Sequence, residues 1–580
     1  MNNEYRNIYC GHVSEELNGK EVRLAGWVNS IRKLGGGLTF VTLRDEKGIV
    51  QLITEDSTLF EGINRESTIT VKGVVRLRTK EMINSSMKTG KIEVLVSEVK
   101  VLGECENVLP FEISRSREES SEDTRLKYRY LDLRNPKVHD NIVFRSKVVD
   151  YIRTIMKGED FTEITTPIIT TSSPEGARDF IIPSRRFKGK FYALPQAPQI
   201  YKQLLMVSGF NKYFQIAPCF RDEDARADRT LEFYQLDMEM SFVTEEDVYA
   251  IGQKVFYDVF THFSDKKVSS APFRRISFKE AMLKYGTDKP DLRNPLEITD
   301  LTDIFKNTEF TPFIGSTIRG IKVENIEKSN SWYKSLEETM KELGASGLAY
   351  IKVNEDLTFK SSLDKFLTDE ERNALKNELS LKAGDVLFII SDKKKASKLA
   401  GLLRTKLGEE LGLIDKDKYE FCIINDFPMY EYNEEENKWD FGHNPFSMPK
   451  GGLKALNNQN IEDIVAYQFD FVCNGYEMAS GAVRNHDIKT MVKAFELAGY
   501  DESVVENKFR SLYTAFKYGA PPHAGMAPGI DRMIMLLLGE ENLREVQVFP
   551  PNVSGVDNLM GGPTEVTEQQ LRETHLKIRD

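Results

Sequence analysis

The stretch that decides the fold is KYFQIAPCFRDEDARADRTLEFYQLDMEMSF, residues 212 to 242. Its second half alternates strictly, so successive side chains fall on opposite faces of a predicted strand. The polar face carries Phe233, Gln235, Asp237 and Glu239. The apolar face carries Tyr234, Leu236, Met238, Met240 and Phe242. The pattern predicts a strand with one face in a core and the other in a polar site that holds one aromatic ring.

The loop before this strand carries Arg221, Arg226 and Arg229. With Phe233, these arginines could stack a purine and grip a phosphate chain. An edge hairpin with a surface ion-pair network fits the same residues. The segment alone favours neither interpretation.

A second constellation is AYQFDFVCNGYEMASGAVR, residues 466 to 484. Asn-Gly is a strong hairpin signal, and a two-residue turn there pairs Val472 with Glu477 and puts Asp470 on the same face. Two neighbouring carboxylates need a cation or a proton, and magnesium carried by a nucleotide would serve, unless one carboxylate points to solvent. Arg484 joins that face only if the register breaks, which we expect near Ser480 and Gly481.

Three further segments are weak when read singly. PPHAGMAPGIDRMIMLLLG, residues 521 to 539, joins a strand with small residues to an apolar helix, with Asp531 and Arg532 at the junction. Gly525, Ala527 and Gly529 could let a ligand approach the backbone. TSSPEGARDF (171 to 180) and LPQAPQIYKQLLM (194 to 206) place Glu175, Gln199 and Lys202 near turns, where surface positions are more common than ligand contacts.

Five short runs rich in β-branched residues, between about residues 19 and 101, predict a small barrel of the OB type. Arg32, Lys33, Phe40 and Arg44 surround a glycine-rich turn there, which suits phosphate contact and base stacking. Composition alone favours a solvated hairpin with a core phenylalanine. A polar linker (110 to 136), a helix over 141 to 156, an α/β insertion and a final helix beginning at Thr567 follow.

The bulk composition bounds the class of protein. A length of 580 residues predicts about two to four domains, and 40% hydrophobic with 29% charged residues is typical of a globular protein. A net charge of −11 argues against a generally basic, nucleic-acid-coating surface. The five cysteines form no CxxC pair, and the chain shows no signal peptide or membrane span, so we expect a cytoplasmic protein without a disulfide framework or a zinc site.

Taken in order, FTEITTPIIT, FRDED with Phe233, and GMAPGIDR resemble the three signature motifs of class II aminoacyl-tRNA synthetases of the bacterial aspartyl type. The resemblance implies an α+β multidomain fold with an OB barrel, an antiparallel-sheet catalytic domain and an insertion domain. The implied boundaries are 1–108 (OB-fold anticodon-binding), 109–140 (hinge), 141–285 (first catalytic part), 286–418 (GAD-like insertion), 419–550 (second catalytic part) and 551–580 (C-terminal extension).

The same resemblance implies roles for individual residues. Those implied for catalysis are Arg221, Glu477 and Arg532, and those for Mg²⁺ are Asp470 and Glu477. Those implied for ATP are Arg221, Asp222, Glu223, Thr230, Phe233, Glu477, Gly529, Ile530, Asp531 and Arg532. Those implied for aspartate are Glu175, Gln199, Lys202, Arg221, Asp237, His443 and Arg484. Those implied for the anticodon are Arg32, Phe40 and Gln51, against the composition-based interpretation.

The resemblance also implies a homodimer with ATP, L-aspartate and tRNA as partners and no membrane. Arg484 with Lys202 would favour a side-chain carboxylate over neutral asparagine. Ala197, Asn444 and Ala524 depart from the family pattern, and we expect them to tune the aspartate pocket.

The implied reaction forms aspartyl-adenylate and then charges the tRNA for aspartate, with the tRNA for asparagine as an open second substrate. A tRNA-independent ligase resembling asparagine synthetase is one alternative, against which the intact barrel speaks. An inactive tRNA-binding paralogue is another, disfavoured by the retained Arg221, Glu223, Glu477 and Arg532.

Overall fold

A computed structural model describes residues 3–172 and 177–579. The chain divides into two compact units, Met1–Ser120 and Ser121–Asp580. Within the described residues, no helix is long and apolar enough to cross a membrane.

The first unit is a closed five-stranded barrel with strand order β1-β2-β3-β5-β4. The pairings are antiparallel except β3 with β5, and β4 returns to β1 to close the barrel. Alternate side chains such as Leu24, Val41 and Leu52 fill the interior, as the predicted OB barrel requires. The elements are β1 Glu21–Lys33, β2 Thr39–Asp45, β3 Gly48–Thr54, β4 Thr68–Leu77, β5 Ile92–Gly103 and the helix α1 Ser116–Glu119.

The first part of the second unit, residues 122 to 284, contains six helices and seven strands among its described residues. The helices are α2 Glu122–Lys127, α3 Arg129–Asp132, α4 Pro136–Gly158, α5 Gln199–Val207, α6 Glu245–Phe263 and α7 Phe278–Lys284. The strands are β6 Thr162–Glu163, β7 Ile181–Pro183, β8 Phe191–Ala193, β9 Lys212–Phe220, β10 Glu232–Ser241, β11 Lys267–Val268 and β12 Arg274–Ser277.

The inserted region is an antiparallel five-stranded sheet with order β13-β14-β17-β15-β16. Its strands are β13 Ile298–Asp300, β14 Thr317–Val323, β15 Ala349–Val353, β16 Phe359–Lys360 and β17 Val386–Asp392. Its helices are α8 Asn330–Glu342, α9 Asp369–Glu378 and α10 Ala396–Glu410. Helices α8 and α10 pack on one sheet face and α9 on the other, so this region has two hydrophobic clusters of its own.

After the inserted region, the chain adds further strands and helices to the rest of the second unit. The strands are β18 Lys418–Tyr419, β19 Phe421–Asn425, β20 Tyr430–Asn433, β21 Lys438–Phe441, β22 Gln468–Cys473, β23 Tyr476–Val483 and β24 His523–Pro528. The helices are α11 Gly452–Asn458, α12 Ile488–Leu497, α13 Glu502–Lys508, α14 Arg510–Phe516, α15 Ile530–Leu538 and α16 Glu568–Glu573. Thr567 caps α16 in a capping box with Gln570, as predicted.

Four of these strands (β19, β22, β23 and β24) join β6, β9, β10 and β12 in an eight-stranded sheet with order β12-β19-β22-β23-β24-β10-β9-β6. It is antiparallel through its centre and parallel at both ends, where β12 meets β19 and β6 meets β9. Helices α4, α6 and α15 cover one face with residues such as Ile152, Phe256 and Ile534. The opposite face of the central strands is therefore available for a polar site.

Three predicted segments differ in detail from the structure. The helix predicted over 141 to 156 begins earlier, at Pro136, and ends at Gly158. The expected strand FTEITTPIIT pairs only over β6, because its following residues leave the sheet. The polar segment before residue 136 forms the short helices α1 to α3 and buries Arg125, Arg129 and Asp132 in an ion-pair cluster. Polar composition did not predict this, since mutual pairing allows charged side chains to be buried. The domain boundaries stay a prediction.

Candidate active site

Strand β10 sets the geometry of the site because it lies between β9 and β24 near the centre of the sheet. The predicted alternation is confirmed for Leu236, Met238 and Met240, which enter the hydrophobic core. It is wrong for Phe242, which follows the end of β10 at positive φ and is 74% exposed. Asp237 and Glu239, on the opposite face, are fully buried without belonging to that core. Buried carboxylates require cations or hydrogen-bond donors, and both are present here.

A cavity of about 220 Å³ lies beside this polar face. Eight of the ten residues predicted to bind ATP line it, and Asp222 and Ile530 do not. The full lining is Arg221, Glu223, Asp228, Arg229, Thr230, Phe233, Tyr234, Gln235, Glu477, Met478, Ala479, Ala527, Gly529, Asp531, Arg532 and Leu543. The structure thus brings the three sequence segments together around one pocket.

Arg221 lies over the ring of Phe233, with 5.0 Å between its guanidinium carbon and the ring centroid. Its Nε is buried and has no hydrogen-bond partner among the described residues. Glu223 accepts a hydrogen bond from Arg229 at 2.8 Å. An aromatic face beside an incompletely bonded guanidinium can take a planar base and an anionic group together.

Arg532 approaches the same cavity from the first turn of α15. It donates to the backbone oxygens of Glu477 and Asp228, and its Nε is buried with no partner in the described part of the chain. Two arginines with unused donors therefore face one cavity. Such an arrangement suits a polyanion, because guanidinium groups bind phosphate oxygens in a fork.

Asp531, predicted to contact ATP, has its carboxylate engaged by the protein. It accepts from Arg145 of α4, from Gln547 at 3.0 Å and from the backbone N–H of Tyr234 at 3.3 Å. These bonds tie α4, β10 and α15 to one another. The Ile530 side chain lies in the hydrophobic core, and the backbone N–H of Asp222 donates to the Arg178 oxygen at 3.0 Å.

The hairpin of β22 and β23 has the predicted turn, with Asn474 and Gly475 both at positive φ. Val472 pairs with Glu477 as predicted. The register then shifts so that Asp470 pairs with Ser480, which places the bulge at Met478. The predicted break near Ser480 and Gly481 was therefore wrong in position. Its consequence holds, because the extra residue brings Arg484 to the face of Asp470.

Asp470 and Glu477 fit the requirements of a magnesium ion shared with a nucleotide. Oδ1 of Asp470 is buried without a hydrogen-bond partner among the described residues. Burial and then the neighbouring Glu477 raise the pKa of the Asp470 carboxyl well above its usual range. No group of three or more potential ligands clusters in the described residues. Magnesium prefers six oxygen ligands and commonly combines one or two carboxylates with phosphate oxygens and water.

Next to the cavity, β10 carries a buried network of four alternating charges. Lys202 of α5 donates to Asp237 at 2.7 Å and lies 3.5 Å from Glu239. Arg484 holds Glu239 with two hydrogen bonds, at 2.9 and 3.1 Å. The four predicted aspartate-site residues Lys202, Asp237, Arg484 and Gln199 thus lie together, but both cations already have protein partners.

Charges in this network shift the pKa values of its two acids in opposite directions. Burial acts to raise the pKa of the Glu239 carboxyl, yet Arg484 and then Lys202 outweigh burial and hold it below its usual value. For Asp237, burial outweighs Lys202 and the pKa is raised. Tyr213 donates to Asp237 at 3.0 Å and completes its shell.

Sequence reasoning missed three members of the network, namely Tyr213, Gln203 and His523. Gln199 donates to Gln203 at 3.0 Å, and Gln203 lies 3.1 Å from Nε2 of the buried His523. A Cβ on Gly525 would lie 2.1 Å from Glu239 Oε2, so this glycine makes room for Glu239. The prediction that it admits a ligand therefore has a simpler physical explanation. The triplet His-Ala-Gly after two prolines was the available signal.

The remaining predicted aspartate contacts are placed less completely. His443 stacks edge-on with Phe427 at 4.9 Å, and burial lowers its pKa. Asn444 accepts from the backbone N–H of Phe446 at 2.8 Å, so it shapes the turn beside His443. Ala524 pairs with Met240 in the sheet. Glu175 lies outside the described residues.

On the barrel, the three residues predicted to contact the anticodon share one outer face. Arg32 pairs with Phe40 across β1 and β2, and Gln51 pairs with Thr42, two residues along β2. Phe40 is partly exposed and lies outside the barrel core, unlike the core phenylalanine that composition favoured. Gln51 donates to Glu93 at 2.8 Å.

A closed barrel in one unit and, in the other, a mixed sheet beside an arginine-lined cavity are typical of a nucleotide-dependent enzyme with a nucleic-acid-binding module. A family described as tRNA synthetases class II (D, K and N) matches residues 121–553, and one described as OB-fold nucleic acid binding domain matches residues 22–102. The chain belongs to the class II aminoacyl-tRNA synthetases of the D, K and N group.

Within that group, the chain is similar over its whole length to proteins named as aspartate ligases. The chain is 50% identical to the Aspartate--tRNA(Asp/Asn) ligase of Wolbachia pipientis subsp. Culex pipiens, covering 99% of this chain and 100% of that one. It is 51% identical to the protein of the same name from Ehrlichia canis, covering 99% of each. The resemblance found in the sequence motifs is thereby confirmed.

Solved structures confirm the fold. A putative aspartyl-tRNA synthetase from Leishmania major Friedlin is 22% identical, with a TM-score of 0.60 and 95% of each chain covered. The asparaginyl-tRNA synthetase from Pyrococcus horikoshii complexed with asparaginyl-adenylate is 19% identical, with a TM-score of 0.57, covering 94% of this chain and 97% of that one.

Proposed function

We propose that the chain is an aspartate–tRNA ligase, which activates L-aspartate with ATP and transfers it to the 3′ end of tRNA. The observation that carries this proposal is the junction of two sites: the arginine-lined cavity and the buried Lys202–Arg484 network on the same face of β10. The relatives at about 50% identity support the choice of aspartate.

The proposed reaction needs no covalent enzyme intermediate. Phe233 stacks the adenine, and Arg221 brings the α-phosphate and the aspartate carboxylate to each other. The α-carboxylate of aspartate attacks the α-phosphorus and pyrophosphate leaves. The 3′-terminal hydroxyl of the tRNA then attacks the carbonyl carbon of the adenylate and loses its proton, AMP leaves, and the aspartyl ester of the tRNA forms. The protein contributes by positioning the reactants and by offsetting phosphate charge with Arg221 and Arg532. Asp470 and Glu477 would hold Mg²⁺, which when bound adds to that charge compensation.

Selectivity for aspartate follows in this proposal from the charge balance of the network. Lys202 and Arg484 match the charges of Asp237 and Glu239, and any N–H group that these bonds leave over would require an acceptor from the amino acid. Neutral asparagine would offer one carbonyl and an N–H₂ group, which cannot bond to cationic donors.

The proposal extends to a cytoplasmic homodimer with the tRNA anticodon on the barrel. For the homodimer, support comes from the second unit, where the side chains of Ile168 and Ile169 are exposed and a groove runs along α4. The five cysteines form no disulfide within the described residues, which agrees with a reducing compartment.

Charging assays with purified tRNAs for aspartate and for asparagine test the proposal and its breadth. We expect aspartylation of the aspartate tRNA, and the relatives' names favour aspartylation of both.

Phe40→Ala should raise the KM for tRNA about tenfold through the loss of one stacked base, and leave tRNA-independent steps unchanged. Ammonia-dependent asparagine formation without tRNA, or no activation of aspartate at all, would contradict the proposal.

A further inference from the structure

A lysine from outside the three signature motifs forms an ion pair with Glu477, one of the two proposed metal ligands. Nζ of Lys289 lies 3.1 Å from Oε2 of Glu477 and 3.0 Å from Oδ2 of Asp288. Asp470 also acts on Lys289 electrostatically. Lys289 belongs to the segment that leads from α7 into the inserted region, GTDKPDLRN, residues 286 to 294. A positive charge of the protein thus stands beside the two acids.

Helix α10 of the inserted region holds this segment in place. Arg404 of α10 is almost fully buried and donates to the backbone oxygens of Asp291, Asn294 and Leu296 at 3.0, 2.6 and 2.5 Å. Two of these hydrogen bonds end within the segment and the third ends two residues beyond it. One guanidinium thus fixes a stretch of chain that belongs to no helix or strand.

Helix α10 can approach this closely because two glycines meet. A Cβ on Gly401 would lie 2.8 Å from the backbone oxygen of Gly286, and one on Gly286 would lie 2.2 Å from the oxygen of Ser397. On the other side, the segment touches the hairpin turn, where Asp291 lies 3.5 Å from the Cβ position of Gly475. The position of Lys289 is therefore set jointly by α10 and by the hairpin that carries Glu477.

We propose that Lys289 is a positioning residue that holds Glu477 and offsets the charge of the Glu477–Asp470 pair until ATP arrives. A divalent cation would then bind tightly only together with the nucleotide, because the cation displaces the Lys289 ammonium from the carboxylates and the phosphates offer that ammonium a new anionic partner. This inference rests on the proposed function of Glu477 and Asp470. It also assigns a task to the inserted region, namely to carry this lysine to the active site.

The physical reason is electrostatic. With Lys289 in place, a divalent ion approaching the two carboxylates meets a like charge within a few ångströms, and part of the attraction is cancelled. Since the lysine side chain is about one-third exposed, solvent screens the effect and its size stays moderate. We expect removal of the charge to tighten cation binding to the nucleotide-free enzyme about tenfold, equivalent to about 1.4 kcal/mol.

The test is a titration of the full-length, nucleotide-free protein with Mn²⁺, followed by the electron paramagnetic resonance signal of free Mn²⁺. Lys289→Met should lower the dissociation constant about tenfold relative to wild type, and Lys289→Arg should not. Lys284→Met is the matched control, because Lys284 pairs with Glu280 on the surface of α7. It should behave as wild type.

The double variant Lys289→Met/Glu477→Gln locates the extra cation. The tighter binding should disappear in it, because one of the two carboxylates has lost its charge. Equal dissociation constants for wild type and Lys289→Met would overturn the inference, and so would tighter binding that persists in the double variant. Lys289→Gln provides the same readout if the methionine variant does not fold.

Gly401→Val tests the part assigned to the inserted region. The added side chain must push α10 away from Gly286, so Mn²⁺ binding should tighten in the same direction as for Lys289→Met, by a smaller factor. A protein with unchanged Mn²⁺ affinity and a displaced loop would contradict it. Wild-type aspartate-dependent ATP–pyrophosphate exchange, measured alongside, separates failure of this inference from failure of the proposed function.

Discussion

The cavity beside Arg221 and the buried network beside Lys202 lie on one face of the same sheet, yet they treat charge in opposite ways. In the cavity, Arg221 and Arg532 keep donor atoms that have no partner in the described part of the chain, and Glu477 is about one-third exposed. In the network, Lys202, Asp237, Glu239 and Arg484 are almost fully buried and paired with one another.

The difference indicates two modes of recognition. A polyanion with its own metal ion brings enough charge to complete an open cationic site. A small amino acid brings little, so its pocket must already be rigid and internally neutral before binding, which limits the cost of ordering. The nucleotide pocket is thus expected to tolerate mutation structurally, whereas the amino-acid pocket is part of the folded core.

The largest effect should follow from removing Lys202. Lys202→Met leaves Asp237 and Glu239 buried with one fewer cation, so the free energy of unfolding should fall by about 3–5 kcal/mol. Urea denaturation measures this change. The double variant Lys202→Met/Asp237→Leu should recover part of the loss, because the unpaired charge is then gone. A loss below about 1 kcal/mol would contradict the view of this network as part of the core.

Arg221→Ala should have the opposite profile. Aspartate-dependent ATP–pyrophosphate exchange should fall at least about tenfold, or roughly 1.4 kcal/mol of transition-state stabilisation, while thermal stability changes little. Arg226→Ala is the control, since Arg226 is exposed in the same loop and does not line the cavity. Unchanged exchange in a folded Arg221→Ala protein would refute the role of Arg221.

A smaller effect is expected at Phe233. Phe233→Leu keeps an apolar side chain but removes the aromatic face, so the KM for ATP should rise about fivefold, corresponding to about 1 kcal/mol of stacking. The KM for aspartate should stay within twofold. Equal increases for both substrates would erase the distinction between the two pockets.

The smallest effect concerns pH and His523. Burial lowers the pKa of His523 despite the nearby Glu239, with Arg484 and His486 also acting to lower it. Below pH 6.5 the unfolded chain binds this proton before the folded chain does, so folding stability declines as the pH falls through 6.5. In His523→Gln that decline should be shallower between pH 6.5 and 5 in urea titrations. An identical slope would show that His523 is not the group responsible.

Much of this arrangement could be predicted from local pattern. Alternation predicted the two faces of β10 as far as Met240, and Asn474-Gly475 predicted the first pairs of the hairpin, because both depend on neighbours along the chain. The bulge was expected but misplaced by two to three residues, since its position depends on packing of Met478 against the core.

Contacts between distant segments could not be predicted in this way. Nothing local to Asp531 shows that Arg145 of α4 occupies its carboxylate, and nothing local to Lys289 shows that it meets Glu477. Both contacts join residues more than 180 positions apart and depend on how whole elements pack. The roles of Arg32, Phe40 and Gln51 likewise came from family resemblance, and the barrel geometry adds only that they share a face.

The most direct test of the account is the amino-acid dependence of ATP–pyrophosphate exchange by the purified chain without tRNA. The pocket predicts rapid exchange with L-aspartate and exchange with L-asparagine lower by at least about a thousandfold, since the N–H₂ group of asparagine would face the N–H donors of Lys202 and Arg484 without an acceptor. Comparable rates with the two amino acids would contradict the claim that Lys202 and Arg484 select a carboxylate.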